Sequence, residues 1–195
     1  MTSFKHLTGK LEERRTGVSR QVEPDEWPGI LKRLAEKLPQ DRQWRVTVIG
    51  GVAMALGYGG RRTTEDADVI NTPPEVIRAA RAVATEFALG LEWMNSKAED
   101  ADHVDPSVAA DTRVVLSEPS LEVHVPSAVP MLATKIARFA RKTDVSDAKI
   151  LLSRLRHLDS VEDVWTHIGG FVPVADRAQA KHNLENLWEM VHGPA

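Results

Sequence analysis

The sequence predicts a mixed α/β (α+β) fold, in which a mixed sheet is flanked by helices and followed by a helical C-terminal region. Short β-branched runs alternate with helical repeats through the first part of the chain. From residue 127 onwards, every segment repeats its apolar residues with helical spacing. We therefore divide the chain into an α/β core with a preceding arm and helix, residues 1–126, and a helical region, residues 127–195.

The individual elements follow from spacing and from turn residues. Runs rich in β-branched residues predict strands over residues 44–49, 66–70, 91–95, 113–116 and 121–125. Apolar residues at helical spacing predict helices over residues 24–38, 75–87, 127–141, 145–158, 161–167 and 175–191. Residues 97–110 are polar and acidic and predict a loop. The polar and basic residues 1–22 predict a loosely docked arm or, alternatively, a contact to a phosphate backbone or a partner protein.

Composition narrows the classes of function. The formal net charge of −3 argues against a protein that coats nucleic acid by bulk charge. The chain has no cysteine, which excludes disulfides and cysteine-ligated zinc. The N-terminus lacks the apolar segment of a secretory signal, and no apolar run approaches the ~20 residues that cross a bilayer. We therefore expect a cytoplasmic protein with no membrane partner.

Residues 46–70 carry the strongest functional pattern. A short strand stops at Gly50-Gly51, an apolar helical patch and an arginine-containing loop follow, and the next strand carries Asp66 and Asp68. Two acids at i and i+2 on a strand point to the same face, and such like charges are costly unless a cation lies between them. Glycines let backbone amides approach phosphate oxygens. The pattern predicts a Mg²⁺ and polyphosphate site, the alternative being a glycine turn followed by a solvated acidic strand end.

The Gly-Gly turn followed by Arg-Thr-Thr-Glu-Asp-Ala-Asp resembles the signature of the nucleotidyltransferase (polymerase-β-like) superfamily. Within that superfamily it resembles the AbiEii/MenT-type toxins of toxin–antitoxin systems, over residues 46–150. The resemblance implies a nucleotidyltransferase-fold sheet and a Mg²⁺-dependent transfer of NMP from an NTP to an acceptor hydroxyl. It further implies tRNA as the acceptor and a cognate antitoxin protein as a partner.

The resemblance also implies roles for particular side chains. The implied catalytic residues are Asp66, Asp68, Glu122, Lys135 and Asp147. The implied metal ligands are Asp66, Asp68 and Glu122. The implied nucleotide-binding residues are Gly50, Gly51, Arg62 and Lys135. Near these positions, His124 shares a strand face with Glu122, and Arg138 and Lys142 extend the basic helix face of Lys135. Asp144 is predicted to be a helix N-cap.

One departure from the resemblance leaves two alternatives open. Many relatives place Ser or Thr just after the glycines, whereas this chain has Val52 and Ala53, so phosphate contacts would fall to backbone amides. A nucleotidyltransferase that modifies a small molecule such as an antibiotic would use the same acid pair. A binding protein that keeps the fold without turnover would tolerate the missing hydroxyl.

Overall fold

A computed structural model describes residues 20–97, 104–139 and 141–193. Within these ranges the strands are β1 Trp44–Val48, β2 Ala67–Ile70, β3 Met94–Asn95, β4 Thr112–Glu118 and β5 Leu121–Pro126. The α-helices are α1 Trp27–Lys37, α2 Gly50–Tyr58, α3 Pro74–Phe87, α4 Ala128–Arg138, α5 Lys142–Leu152, α6 Val161–Ile168 and α7 Arg177–His192. Short 3₁₀ helices span Pro106–Ala109, Gly169–Phe171 and Val174–Asp176.

The five strands form one sheet in the order β3-β2-β1-β5-β4. β1 lies at the centre, antiparallel to β2 and parallel to β5, while β4 pairs antiparallel with β5. The β-branched residues of β1 favour this extended, packed position. The prediction of a mixed sheet flanked by helices, with a helical C-terminal region, is confirmed.

The two faces of the sheet differ in chemistry. Its apolar face carries Val46, Val48, Val69 and Val123, all of which are buried in the core. Residues paired across neighbouring strands lie on one face, so the register places a second set together. Arg45 pairs with Glu122, and Thr47 pairs with His124 and Ile70. Asp68 lies two residues before Ile70 and therefore on the same face. We call the polar members of this set, Arg45, Thr47, Asp68, Glu122 and His124, the polar face.

The C-terminal helices pack around α4. This helix contacts α5, α6 and α7, and α6 also contacts α7. Ile136 of α4, Leu151 of α5 and Leu184 of α7 are fully buried among them. The side-chain amide of Asn183 donates to the carbonyl of Ile136 at 2.8 Å, which ties α7 to the end of α4. No helix in the described ranges has the length and apolarity needed to cross a bilayer.

The structure differs from two of the predicted segments. The helix predicted over residues 145–158 runs over Lys142–Leu152, so Asp144 lies in its first turn and is not its N-cap. The acidic loop predicted over residues 97–110 contains a 3₁₀ helix, whose start is capped by the Asp105 carboxylate accepting from the Ser107 amide.

The predicted N-terminal arm lies mostly outside the described residues. Its last residues are described, and they are firmly docked. Val22 is fully buried and forms an isolated antiparallel bridge with Thr64, and the Arg20 guanidinium donates to the carbonyl of Phe87 at 2.8 Å. The start of the described chain is therefore joined to the loop that leads to the acid pair.

Candidate active site

The turn between β1 and α2 lies directly against Asp68. Gly50 has a φ of +65°, a left-handed conformation that favours glycine. A Cβ added to Gly50 would lie 2.9 Å from Oδ2 of Asp68, closer than real Cβ contacts allow. The amide of Ile49 donates to the carbonyl of Asp68 at 2.9 Å, which fixes the two strands at this level. The glycine is therefore what lets the carboxylate approach the start of α2.

The two acids of the pair differ in environment. Asp66 is exposed, whereas Asp68 is half-buried. Burial raises the pKa of Asp68, and the charge of Asp66 raises it further, against the opposing charges of Arg138, Lys135 and Lys97. The surrounding cations thus do not fully offset the cost of ionising Asp68 beside Asp66. A bound cation would remove that cost.

A buried cluster of charges joins α4, α5 and the loop before β2. Nζ of Lys135 lies 2.7 Å from Oδ2 of Asp147 and 3.4 Å from Oδ1 of Asp144. Lys135, Asp147 and Asp144 are only 6%, 3% and 8% exposed. Arg62 adds a second cation, with Nη2 lying 3.2 Å from Oδ2 of Asp147. We call these four residues the Lys135 cluster.

The Lys135 cluster changes the expected role of Lys135. Its ammonium already contacts two carboxylates, so a phosphate would have to compete with Asp147 and Asp144 for it. Arg138 lies one turn further along α4, is exposed, and has no ion-pair partner among the residues that the structure describes. Arg138 is also the cation with the largest effect on the pKa of Asp68. Arg138 is therefore better available to a phosphate than Lys135.

Glu122 is not brought to the acid pair. It pairs with Arg45 near the start of β1, whereas Asp68 lies level with Ile49, just beyond the end of β1. Four residues along the sheet and two strands across it correspond to about 16 Å between Cα positions. Glu122 instead contacts His124, whose Nε2 lies 3.1 Å from Oε2 of Glu122. The implied three-carboxylate metal set does not form in this arrangement.

The acid pair still fits a magnesium ion. In the described part of the chain, no group of three or more His, Cys, Asp or Glu side chains is arranged to hold a metal. Mg²⁺, however, is commonly held by one or two carboxylates together with substrate phosphates and water. Asp66 and Asp68 supply hard oxygen donors of this kind, and the space over Gly50 keeps the Asp68 carboxylate close to the first amides of α2.

Sequence reasoning missed Thr64 and Lys97. The hydroxyl of Thr64 lies 3.2 Å from the carbonyl oxygen of Asp66 and 3.4 Å from its Oδ1. The hydrogen bond and charge of Glu92 raise the pKa of Lys97, and the charges of Asp66 and Asp68 raise it by a smaller amount, so Lys97 lies near both acids. The sequence could have indicated Thr64, since this residue lies in the loop two positions before Asp66. Lys97 carried none, because only the pairing of β3 with β2 brings it near.

Comparison with known proteins adds no identification. No protein-family model matches the chain, and no curated protein and no solved structure matches it.

Proposed function

We propose that the chain is a Mg²⁺-dependent nucleotidyltransferase that transfers NMP from an NTP to an acceptor hydroxyl. One observation carries this proposal: the half-buried Asp68 carboxylate lies against the Gly50 turn beside a second carboxylate, Asp66. Clustered like charges are retained at a cost in stability, and a site for a cation and a polyphosphate accounts for that cost.

In this proposal the acid pair holds the cation and the glycine turn faces the triphosphate. Asp66 and Asp68 would hold Mg²⁺, which when bound supplies positive charge against the triphosphate. The amides at the start of α2 and the guanidinium of Arg138 bind phosphate oxygens. The acceptor oxygen forms a bond to the α-phosphorus while the bond from that phosphorus to the bridging oxygen breaks, so that pyrophosphate leaves. The proton of the acceptor hydroxyl passes to water beside the exposed Asp66.

The remaining implied residues take supporting roles. The Lys135 cluster holds α4 against α5, so that Arg138 is presented toward Asp68, and Arg62 joins the loop before β2 to the same cluster. Glu122 has no part in holding the cation, because the register of β1 and β5 keeps it away from the acid pair.

The acceptor and the biological role are proposed from the resemblance of residues 46–150. We propose tRNA as the acceptor, a cytoplasmic site of action, and a cognate antitoxin protein as partner, so that the chain acts as the toxin of a toxin–antitoxin pair. A small-molecule acceptor, such as an antibiotic, would need the same acid pair and the same Mg²⁺.

Two observations favour a second candidate, a binding protein of the same fold without turnover. Lys135 is engaged by Asp147 and Asp144, and Glu122 lies away from the acids. Such a protein would bind a nucleotide with Mg²⁺ at the acid pair and release it unchanged.

A labelling experiment separates these candidates. The purified chain is incubated with Mg²⁺ and each α-³²P-labelled NTP, together with total tRNA in one arm and aminoglycosides in another. Label in tRNA supports the toxin proposal, and label in the aminoglycoside supports the small-molecule alternative. Mg²⁺-dependent NTP binding without transfer supports the binding protein. The absence of both binding and transfer overturns the proposed function, and Asp68→Asn is the matched inactive control.

A further inference from the structure

We propose that Thr64 is a positioning residue, which orients the Asp66 carboxylate toward the cation of the acid pair. This inference rests on the proposed function, because it assigns a role within the same site. It depends on three features of Thr64: a fixed backbone, a directed hydroxyl, and a space that Gly51 leaves for its side chain.

The backbone of Thr64 is fixed at a point where the chain is otherwise irregular. Its amide donates to the carbonyl of Val22 at 3.2 Å, and its carbonyl accepts from the amide of Val22 at 2.9 Å. Val22 is fully buried, so this bridge is anchored in the core. The loop from α2 to β2 is thereby held two residues before Asp66.

The hydroxyl of Thr64 is directed at Asp66. It lies 3.2 Å from the carbonyl oxygen of Asp66 and 3.4 Å from its Oδ1, and can donate to either acceptor. Asp66 is exposed, and an exposed carboxylate without a partner samples several rotamers. A donor on a fixed backbone reduces that freedom and so lowers the entropic cost of binding a cation in one geometry.

Gly51 explains why the side chain of Thr64 keeps this direction. A Cβ added to Gly51 would lie 3.1 Å from Cβ of Thr64, 3.2 Å from its Oγ1 and 3.4 Å from its Cγ2. The first two distances are tighter than nine in ten real Cβ contacts, so the Thr64 side chain would have to shift by a few tenths of an ångström to accept a side chain at position 51. The second glycine of the turn therefore has a packing role, which differs from the left-handed conformation required at Gly50.

Among the described residues, Thr64 is the hydroxyl found in contact with Asp66, and the neighbouring Thr63 makes no such contact. Val52 and Ala53, which follow the glycines, are fully buried in the core. Thr63 precedes Thr64 in the loop and is partly exposed. Thr63 is therefore a suitable control position.

The test compares Thr64→Val, which keeps the shape and removes the donor, with Thr64→Ser, which keeps the donor, and with Thr63→Val. Two readouts are measured on the full chain. One is the Mg²⁺ concentration that gives half-maximal transfer. The other is the rise in Tm when Mg²⁺ and a non-hydrolysable NTP are added, which needs no turnover.

We expect Thr64→Val to need on the order of tenfold more Mg²⁺ in both readouts, as for loss of a group that orients a metal ligand. Thr64→Ser should restore the wild-type requirement, and Thr63→Val should match the wild type. Gly51→Ala should resemble Thr64→Val, and the double variant should lose no more than Thr64→Val alone, because both changes remove one interaction.

The outcomes separate this inference from the proposed function. If the wild type responds to Mg²⁺ and Thr64→Val responds at the same concentration, the inference is overturned while the proposed function stands. If there is no transfer but the Tm response is weakened in Thr64→Val and restored in Thr64→Ser, the positioning role of Thr64 is supported and the proposed transfer reaction is overturned. If the wild type shows neither response, both are overturned.

Discussion

The acids at the two ends of the polar face differ in the charged partners that surround them. At the end near the start of β1, Glu122 contacts His124 and lies opposite Arg45 in the register. At the other end, Asp68 lies beside Asp66, and its pKa is raised because burial and that neighbour together outweigh the surrounding cations. A carboxylate that already contacts a partner within the protein is suited to a structural role. A carboxylate whose pKa is raised by too little nearby positive charge is suited to binding a cation. The difference separates two acids that the sequence pattern groups together.

The largest effect on stability is expected at Lys135. Lys135→Met leaves Asp147 and Asp144 buried with only Arg62 beside them, and breaking a buried ion pair in this way costs about 3–5 kcal/mol of unfolding free energy. Urea denaturation measures it. The exposed Lys142, changed to Met, is the control and should alter stability by less than about 0.5 kcal/mol. A loss below about 1 kcal/mol for Lys135→Met would show that the cluster is not a buried ion-pair network.

Asp68→Asn should separate activity from stability. Transfer should fall on the order of 100- to 1,000-fold, as when a preorganised charged group is removed from a catalytic site. Stability at pH 7 should rise, because the substitution removes a charge that burial and Asp66 disfavour. Thermal unfolding measures the gain, with about 2–4 °C in Tm for each kcal/mol. A variant that is both inactive and less stable would indicate a structural role for Asp68.

Glu122→Gln tests the other end of the polar face. We expect transfer to change by less than about tenfold, since the register separates the Cα atoms of Glu122 and Asp68 by about 16 Å. Initial rates at saturating NTP and Mg²⁺ provide the measurement. Loss of activity equal to that of Asp68→Asn, with an unchanged Tm, would mean that Glu122 reaches the site and that the two ends act together.

The smallest effect is a pH dependence of the stability difference between Asp68→Asn and the wild type. Because the pKa of Asp68 is raised in the folded state, protonation of Asp68 favours folding, and ionisation at neutral pH costs stability. The advantage of Asp68→Asn should therefore be largest at pH 7 and shrink as the pH falls through the folded-state pKa of Asp68. Paired Tm measurements from pH 7 to pH 4 follow it, and a gap that widens on acidification would contradict the assigned direction.

The parts of the fold set by local chemistry could be predicted from the sequence. β1, the glycine turn and β2 were predicted to within a residue, because β-branched runs and Gly-Gly act over short distances. The relative level of β1 and β5 could not be predicted, since it depends on pairing between residues more than seventy positions apart, such as Arg45 and Glu122. This register of β1 and β5 is the reason that Glu122 lies far from the acid pair.

The same limit applies to the site. Asp144 satisfies the local pattern of an N-cap, yet its carboxylate contacts Lys135 on another helix, and α5 begins two residues earlier. Lys135 and Asp147 were predicted as site residues, but their mutual contact depends on how α4 packs against α5. The role proposed for Thr64 depends on the empty space over Gly51, which no spacing in the sequence indicates.

The bridge between Val22 and Thr64 has a practical consequence for handling the protein. It joins residues 20–22 directly to the loop that precedes Asp66. A shortened chain that begins after Val22 would lose both hydrogen bonds of the bridge and the buried Val22 side chain, and we expect it to release this loop. Affinity tags and fluorescent labels are therefore better attached beyond α7, where they do not pull on the acid pair.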